Sequence, residues 1–436
     1  MSNMPTENFV TIEKIIPEGR SLGHIEGKSV LIWGGLPEEK VIVDVYKNKK
    51  SFSEARLIRV VEPSPIRIKE RENHYLICSP WQVLPYNSQV AIKKSLLKQA
   101  FLDICDYNIT DINFCESTTE YGYRTKLEFS FTVDKTGKIA LAFHKRGVNN
   151  EYEIIKGCLL GSDKMNLAAR KITAELNKDS NINYKGLKSL VIRESKTNNQ
   201  IIAILYYKFK EFKFNIRLSD LGGIVDGLYI AYSSIKSPIS VITELIYSEG
   251  INYLEEDILN LKIRYPFDGF FQNNIPLFEK TLTEIIASTP KCNRIVELYS
   301  GVGSIGLALC DKAKEVMGLE IVDSAVEYSE INKNVNKINN YKAIALADYK
   351  ITLNILEEVD VLVLDPPRSG LHPKTTKLII DTKPKKIIYL SCNPSTQARD
   401  YKILSQEYKI EKITGYDYYP NTFHMESLLV LVPIEK

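Results

Sequence analysis

Ile295-Val296-Glu297-Leu298-Tyr299-Ser300-Gly301-Val302-Gly303-Ser304-Ile305-Gly306 runs from an apolar strand pattern directly into a glycine-rich turn and on into helical spacing. A strand that ends in such a turn lets its backbone approach a nucleotide-like ligand closely. From Arg294 onward the same rhythm of strand, turn and helix repeats, with apolar runs at 295–299, 316–319, 359–364 and 386–390. Alternation of this kind predicts an α/β domain built on a mostly parallel, doubly wound sheet, whose ligands bind beyond the carboxyl ends of the strands.

Three further residues sit at those carboxyl ends. Gly318-Leu319-Glu320 places an acid where the ribose hydroxyls of a dinucleotide or of S-adenosylmethionine would lie, and the glycine pattern does not choose between them. The same residues would also serve as a plain strand-to-helix turn with a capping acid. Asp365-Pro366-Pro367-Arg368 closes the 359–364 run, and its prolines fix the turn so that Asp365 is aimed inward. Amino-group methyltransferases carry a similar turn, but with an aromatic residue where Arg368 stands. Cys392, in Tyr389-Leu390-Ser391-Cys392-Asn393-Pro394, lies at the tip of the next strand, where a thiolate can attack an electron-poor carbon. Taken alone it would be read as a small buried hydrophobe. A nicotinamide dehydrogenase has no use for the Asp-Pro-Pro turn followed by Ser-Cys-Asn-Pro.

At 436 residues the chain is long enough for two or three cores, and its net charge of +3 requires any nucleic-acid surface to be local. Seven cysteines, at 78, 105, 115, 158, 292, 310 and 392, form no C-x-x-C pair, and with five histidines they give no zinc spacing. Neither a leader nor an apolar run of membrane-spanning length is present, so the expectation is a cytoplasmic protein with no membrane partner. Residues 9–62 carry short alternating segments (9–16, 24–33, 40–46 and 54–61) with turns at Gly19, Gly23, Gly27 and Gly34-Gly35, the pattern of a small β-barrel. Lys47, Lys49, Lys50, Arg56 and Arg59, interleaved with Tyr46 and Phe52 and opposed by Glu54, suit looped or single-stranded RNA; they suit a solvated hairpin edge equally well. Beyond Pro63-Ser64-Pro65 the pattern turns α+β. It predicts an amphipathic helix over 89–104, a hairpin from 126–133 and 139–143, and a further hairpin within 190–218, where 201–207 and 212–218 are rich in β-formers.

Taken together these motifs resemble the RNA (uracil-5-)-methyltransferase family, the 5-methyluridine enzymes of tRNA and rRNA. The stretch from Gly19-Arg20 through Gly23-His24 to Glu54-Ala55-Arg56-Leu57 and Glu62-Pro63-Ser64-Pro65 resembles a TRAM domain, an OB-like RNA-binding barrel. Gly122-Tyr123-Arg124-Thr125-Lys126 and Phe143-His144-Lys145-Arg146-Gly147 are similar to the family's central domain, and Phe270-Phe271-Gln272-Asn273-Asn274 to the segment leading into the catalytic domain. The resemblance implies a TRAM barrel at 1–68, a central α+β RNA-binding domain at 69–268 with its 89–105 helix packing on the catalytic domain, and a Rossmann-like class I methyltransferase domain at 269–436.

It further implies Cys392 as nucleophile and Glu426 as the base that removes a proton. Gln272, Tyr299, Ser304, Glu320, Asp348 and Asp365 match positions that hold S-adenosylmethionine, and Phe270 a position near the flipped base. Many members carry an iron–sulfur cluster on four cysteines. Here Leu76-Ile77-Cys78-Ser79-Pro80-Trp81-Gln82 keeps one of the grouped three and Cys158 matches the fourth, so neither a cluster nor another metal is expected. The implied partner is RNA, 23S rRNA ahead of tRNA uridine 54, and the implied state a monomer. A cytosine-5 methyltransferase would place a cysteine beside proline where Asp365-Pro366 stands. A non-catalytic RNA-binding factor would have no need to retain Cys392, Glu426, Gln272 and Asp365 together.

Overall fold

The computed structural model describes residues 8–148, 150–179, 182–212 and 216–435. Its N-terminal strands Asn8–Ile15, Ser21–Ile25, Lys28–Trp33, Phe52–Glu62 and Lys40–Asn48 close, in that spatial order, into a barrel. Val10, Ile12, Val30, Ile32, Val41, Val43, Ala55 and Leu57 fill it. The segment expected as one strand over 24–33 is two, because Glu26 and Gly27 both take positive φ (48° and 80°) and form a tight hairpin turn. The basic stripe is less free than the sequence suggests. Arg56 is paired with Asp44 at 2.8 Å and with Glu151 at 3.5 Å, and Lys49 with Glu54 at 3.1 Å, so Glu54 is not the sole opposing acid.

The central sheet runs Glu244–Gly250, Gly227–Tyr232, Ile201–Tyr207, Leu187–Glu194, Lys126–Val133, Ile139–His144, Tyr152–Ile154, with helix Asp163–Leu176 packed on it. The 126–144 hairpin forms as expected, its turn held by the Asp134 carboxylate, which accepts from the Thr136 and Lys138 backbone N–H groups. Within the hairpin expected over 190–218, Ile201–Tyr207 takes Leu187–Glu194 as its antiparallel partner, and 212–218 is not the second strand. Ile201–Tyr207 also lies parallel to Gly227–Tyr232, so both of its edges are taken. Leu218–Leu221 is a short 3-10 turn, and residues 213–215 of the expected strand fall outside those described.

The C-terminal sheet has the order Tyr341–Ala345, Ala313–Glu320, Cys292–Leu298, Val361–Leu364, Lys386–Ser391, Glu426–Pro433, Tyr408–Tyr416, Asn113–Cys115. The first five strands are parallel, and their order reverses on either side of Cys292–Leu298, which opens a crevice at that strand's carboxyl end. The last three strands extend the sheet: Glu426–Pro433 is antiparallel to both neighbours, and Asn113–Cys115 adds a parallel edge.

Helix Tyr86–Cys105 packs through Leu97 and Phe101 into the same core as Ala398, Tyr401 and Leu404 of helix Pro394–Leu404. Its apolar face carries one lysine, Lys93, which is fully buried and donates to Asp417 Oδ1 at 2.5 Å and to the Tyr419 carbonyl at 3.0 Å. That contact ties the helix to the segment leading into Glu426. Among the described residues no helix is long and apolar enough to cross a membrane.

Candidate active site

Cys392 stands on a turn held from both sides. The Asn393 N–H donates to Ser391 Oγ at 3.2 Å, and the Asn393 side chain caps helix Pro394–Leu404 by accepting from the Ser395 N–H. Asn393 Nδ2 and Thr396 Oγ1 donate to the Arg368 carbonyl at 3.0 and 3.2 Å, so the Asp-Pro-Pro-Arg turn is fastened to the cysteine's own turn. Arg368 in turn reaches His424, with Nη2 at 2.7 Å from Nδ1.

The cysteine opens onto a cavity of about 330 Å³ whose walls include Arg368, Asn393, Phe423, His424 and Met425. Glu18, Arg20 and Trp33 of the N-terminal barrel close its far side, with Trp33 packed 5.6 Å from Phe423. Sequence reasoning gave the barrel no share in this cavity.

Charge at the cavity is poised by burial. The Cys392 thiol is pushed up to about 12, first by burial and then by Glu426, with Arg368 opposing. Burial also holds the Glu426 carboxyl well above the usual carboxylate range, Asp365 adding to the effect and Arg368 resisting it. Asp365 is pushed up to about 7 by burial alone. Three of the expected residues therefore share one electrostatic neighbourhood at the ends of three adjacent strands.

A consequence for stability can be signed. Folded Asp365 keeps its proton up to about pH 7, whereas an unfolded aspartate loses it near pH 4. The ligand-free protein thus loses stability as pH rises between those values and levels off above them. Asp365→Asn removes this penalty. In urea unfolding the variant is expected to exceed the parent by up to about 4 kcal/mol near pH 8, and by nothing near pH 4. A difference that does not change with pH would refute the assignment.

The other half of the crevice is a narrow slot of about 50 Å³ between Tyr299, Leu319, Glu320, Ala347 and Asp348. Tyr299, at φ 63°, donates its hydroxyl to Asp348 Oδ2 at 2.6 Å. Glu320 accepts from the Gly301, Ile321 and Val322 N–H groups at 2.8–2.9 Å, which fixes the carboxylate against the glycine turn. Ser304 is buried at the first turn of helix Ser304–Ala308. Gln272 is buried, its carbonyl taking a bond from Thr125 Oγ1 at 3.1 Å, and it precedes Asn274, which caps helix Ile275–Ser288. Phe270 is 72% exposed and lines neither cavity.

Glu297, in the strand that opened the reading, was not singled out there. It is buried, its carboxyl is pushed well up by burial and then by Asp365, and it accepts from the Gly306 N–H at 2.9 Å. The signal available was an acid inside a strand otherwise apolar on both faces, which must have a partner. A Cβ at Gly306 would lie 2.5 Å from Glu297 Oε2 and 2.7 Å from the Tyr341 ring. Gly306→Ala is therefore expected to destabilise by about 1–3 kcal/mol, seen as a lower urea midpoint.

Residues 85–433 match the family model described as tRNA (uracil-5-)-methyltransferase. The chain belongs to that family. An uncharacterized RNA methyltransferase of Caldanaerobacter subterraneus is 30% identical over 96% of this chain and 96% of its own length. One from Thermotoga maritima is 29% identical over 97% of this chain and 98% of its own. The crystal structure of Pyrococcus abyssi tRNA (uracil-54, C5)-methyltransferase with S-adenosyl-L-homocysteine superposes with a TM-score of 0.78. It does so at 23% identity, covering 98% of this chain and 100% of that one.

The fold is accordingly that of the α/β S-adenosylmethionine-dependent methyltransferases, and the protein is an RNA (uracil-5-)-methyltransferase. Where the resemblance would put a cluster, the donors among the described residues are Glu72, Cys78 and Cys158, all within 4.8 Å of one another. Two thiols do not fit a cubane that needs four.

Proposed function

We propose that this enzyme methylates carbon 5 of a uridine in 23S rRNA by way of a covalent adduct on Cys392. The observation that carries the reading is the convergence of Cys392, Glu426 and Asp365 on one side of a crevice whose other side is the slot at Glu320. Carbon 5 of uracil is too weak a nucleophile to take a methyl group unaided. Cys392, which opens onto the cavity, first loses its thiol proton to solvent there; addition of the sulfur to carbon 6 then forms the S–C6 bond and moves the ring π electrons toward carbon 5 and the O4 enolate. S-adenosylmethionine, when bound, supplies the electrophilic methyl group. Glu426, as carboxylate, then removes the proton from carbon 5; the C5–C6 double bond re-forms and the thiolate leaves.

Tyr299, Glu320, Asp348, Gln272, Ser304 and Asp365 would hold S-adenosylmethionine, the Glu320 carboxylate, fixed against the glycine turn, being the acceptor its ribose hydroxyls would need. The target base must leave its stack, because sulfur and methyl approach different parts of the ring. The Glu426 carboxyl and the Cys392 thiol are both held toward their protonated forms by burial in the ligand-free protein, and the chemistry needs carboxylate and thiolate. Turnover is therefore expected to rise with pH across the neutral range.

The N-terminal barrel, with Lys47, Lys50 and Arg59 at its surface, supports a large structured RNA. Transfer RNA is the second reading, supported by the family's description and by the Pyrococcus abyssi enzyme's action on uracil 54 of tRNA. Incubation with methyl-labelled S-adenosylmethionine and, separately, unmodified rRNA and tRNA decides between them. Label in 5-methyluridine from rRNA supports the first reading and label from tRNA the second. Label in 5-methylcytidine would overturn both.

A further inference from the structure

A second cavity, of about 270 Å³, adjoins the cysteine's, and the two share the wall formed by Phe423 and His424. Arg124, Arg146, Phe143, Cys78 and Cys158 are among its other walls. The Arg124 backbone N–H donates to the Leu160 carbonyl at 2.9 Å and the residue bridges to Gly161, which fixes its main chain beside the cavity. Its Nε is buried with no hydrogen-bond partner, and among the described residues no carboxylate pairs with its guanidinium.

Arg146 lies 4.2 Å over the Trp33 ring and donates to the Leu76 and Ile77 carbonyls, again without a carboxylate among the described residues. Glu128, on the cavity wall, sits 4.0 Å from Lys126, and Glu72, beside Cys78 and Cys158, is taken up by His74 at 3.3 Å and by the Leu159 N–H at 2.7 Å. On the shared wall Arg368 contacts His424, and the imidazole is pushed down to about 3 by burial and then by these cations. Arg124 has Tyr123 as a hydrogen-bonding neighbour and Arg146 has backbone carbonyls, but a guanidinium nitrogen buried without a partner is costly unless an anion answers it. Among the described residues no carboxylate fills that role, the neighbouring Cys78 and Cys158 sulfurs lie close by, and the cavity has room for an anion.

Granted the RNA reading above, we propose that this cavity receives a backbone phosphate of the RNA strand beside the uridine held at Cys392, with Arg124 and Arg146 as its counter-charges. A nucleotide turned out of its stack brings its flanking phosphates with it, and the cavity across the Phe423–His424 wall is placed to take one. Phosphate contacts of this kind position the strand without reading its sequence. Arg124 therefore sets where the target base lies relative to the sulfur and takes no part in the bond changes.

The test uses the full-length enzyme and a short single-stranded, uridine-containing RNA, with binding measured across a series of potassium chloride concentrations. Arg124→Gln is expected to weaken binding about tenfold and to reduce the slope of log K against log salt by about 0.7, the share of one phosphate contact on a single strand. Arg124→Lys, which keeps the charge, should recover most of the slope. Affinity for S-adenosyl-L-homocysteine and the unfolding midpoint should stay near the parent's. A neutral methylphosphonate next to the target uridine should weaken the parent and leave Arg124→Gln unchanged.

An Arg124→Gln protein with the parental salt slope, or one that binds less RNA only because it unfolds, overturns the proposal. So does a parent enzyme whose binding is indifferent to the methylphosphonate. Failure of the functional reading is distinguished by the labelled-nucleoside experiment, which does not depend on Arg124.

Discussion

Cys392→Ala is expected to lower methyl transfer by about 10⁴-fold or more, to the limit of detection, while RNA and S-adenosyl-L-homocysteine bind within about threefold of the parent. The size follows from the chemistry, since without sulfur at carbon 6 the ring has no electron-rich carbon 5 to offer. Retained binding follows from the fold. The turn that carries Cys392 is held by the Ser391 and Asn393 hydrogen bonds and by the Asn393 and Thr396 contacts to the Arg368 carbonyl, none of which involves the thiol.

Cys392→Ser would be a less clean control. A hydroxyl of the same reach hydrogen-bonds to its neighbours and has little nucleophilic character. Isothermal titration for the two ligands and tritium release from 5-tritiated uridine in RNA separate the outcomes. A variant that still transfers methyl groups at a few per cent of the parental rate would remove the covalent step from the mechanism.

How far the sequence foretold this site depends on which interactions made it. The parallel strands were legible because strands buried on both faces must be apolar throughout, as 361–364 and 387–390 are. Tyr341–Ala345 escaped notice because it is an edge strand with one fully buried residue. Tyr408–Tyr416 hides behind Lys409, Glu411 and Lys412, which its exposed positions tolerate. Asn113–Cys115 is too short for any period to show, and it joins the sheet only through pairing with a strand some 300 residues later.

The chemistry-bearing residues stood out because turns announce themselves: Gly301 to Gly306, Asp365-Pro366-Pro367 and Ser391-Cys392-Asn393 each interrupt an apolar run. The polar groups inside elements did not. Glu297 and Lys93 read as isolated charges until the fold supplies the Gly306 N–H and Asp417. The barrel's contribution of Glu18, Arg20 and Trp33 to the cysteine's cavity is likewise a product of packing between distant segments, with no local pattern to mark it.

Glu426→Gln separates the two halves of the reaction, and its expected result differs in kind from that of Cys392→Ala. The amide cannot take the carbon 5 proton, so methyl transfer occurs once and the methylated base stays bonded to sulfur. Overall turnover should fall by about 10³-fold, within the range that loss of a positioned base produces. The first half should not suffer, and the electrostatics say why. After burial itself, Glu426 is the largest influence holding the Cys392 proton in place, and Arg368 is what opposes it. Replacing a carboxyl that burial already holds toward its neutral form by a neutral amide leaves the thiol no harder to ionise, and wherever that carboxyl has lost its proton the amide removes its opposition to Arg368, so attack on carbon 6 is not impaired.

The variant should therefore accumulate a covalent protein–RNA complex that survives denaturing electrophoresis and carries label from methyl-labelled S-adenosylmethionine, in near-stoichiometric yield. The parent should show little of it, because its elimination step is intact. If Glu426→Gln formed no more adduct than Cys392→Ala, the carboxylate would be acting before or during attack, as the group that accepts the thiol proton. The base for carbon 5 would then have to be sought in Asp365, whose carboxyl shares the same buried neighbourhood and titrates near neutrality.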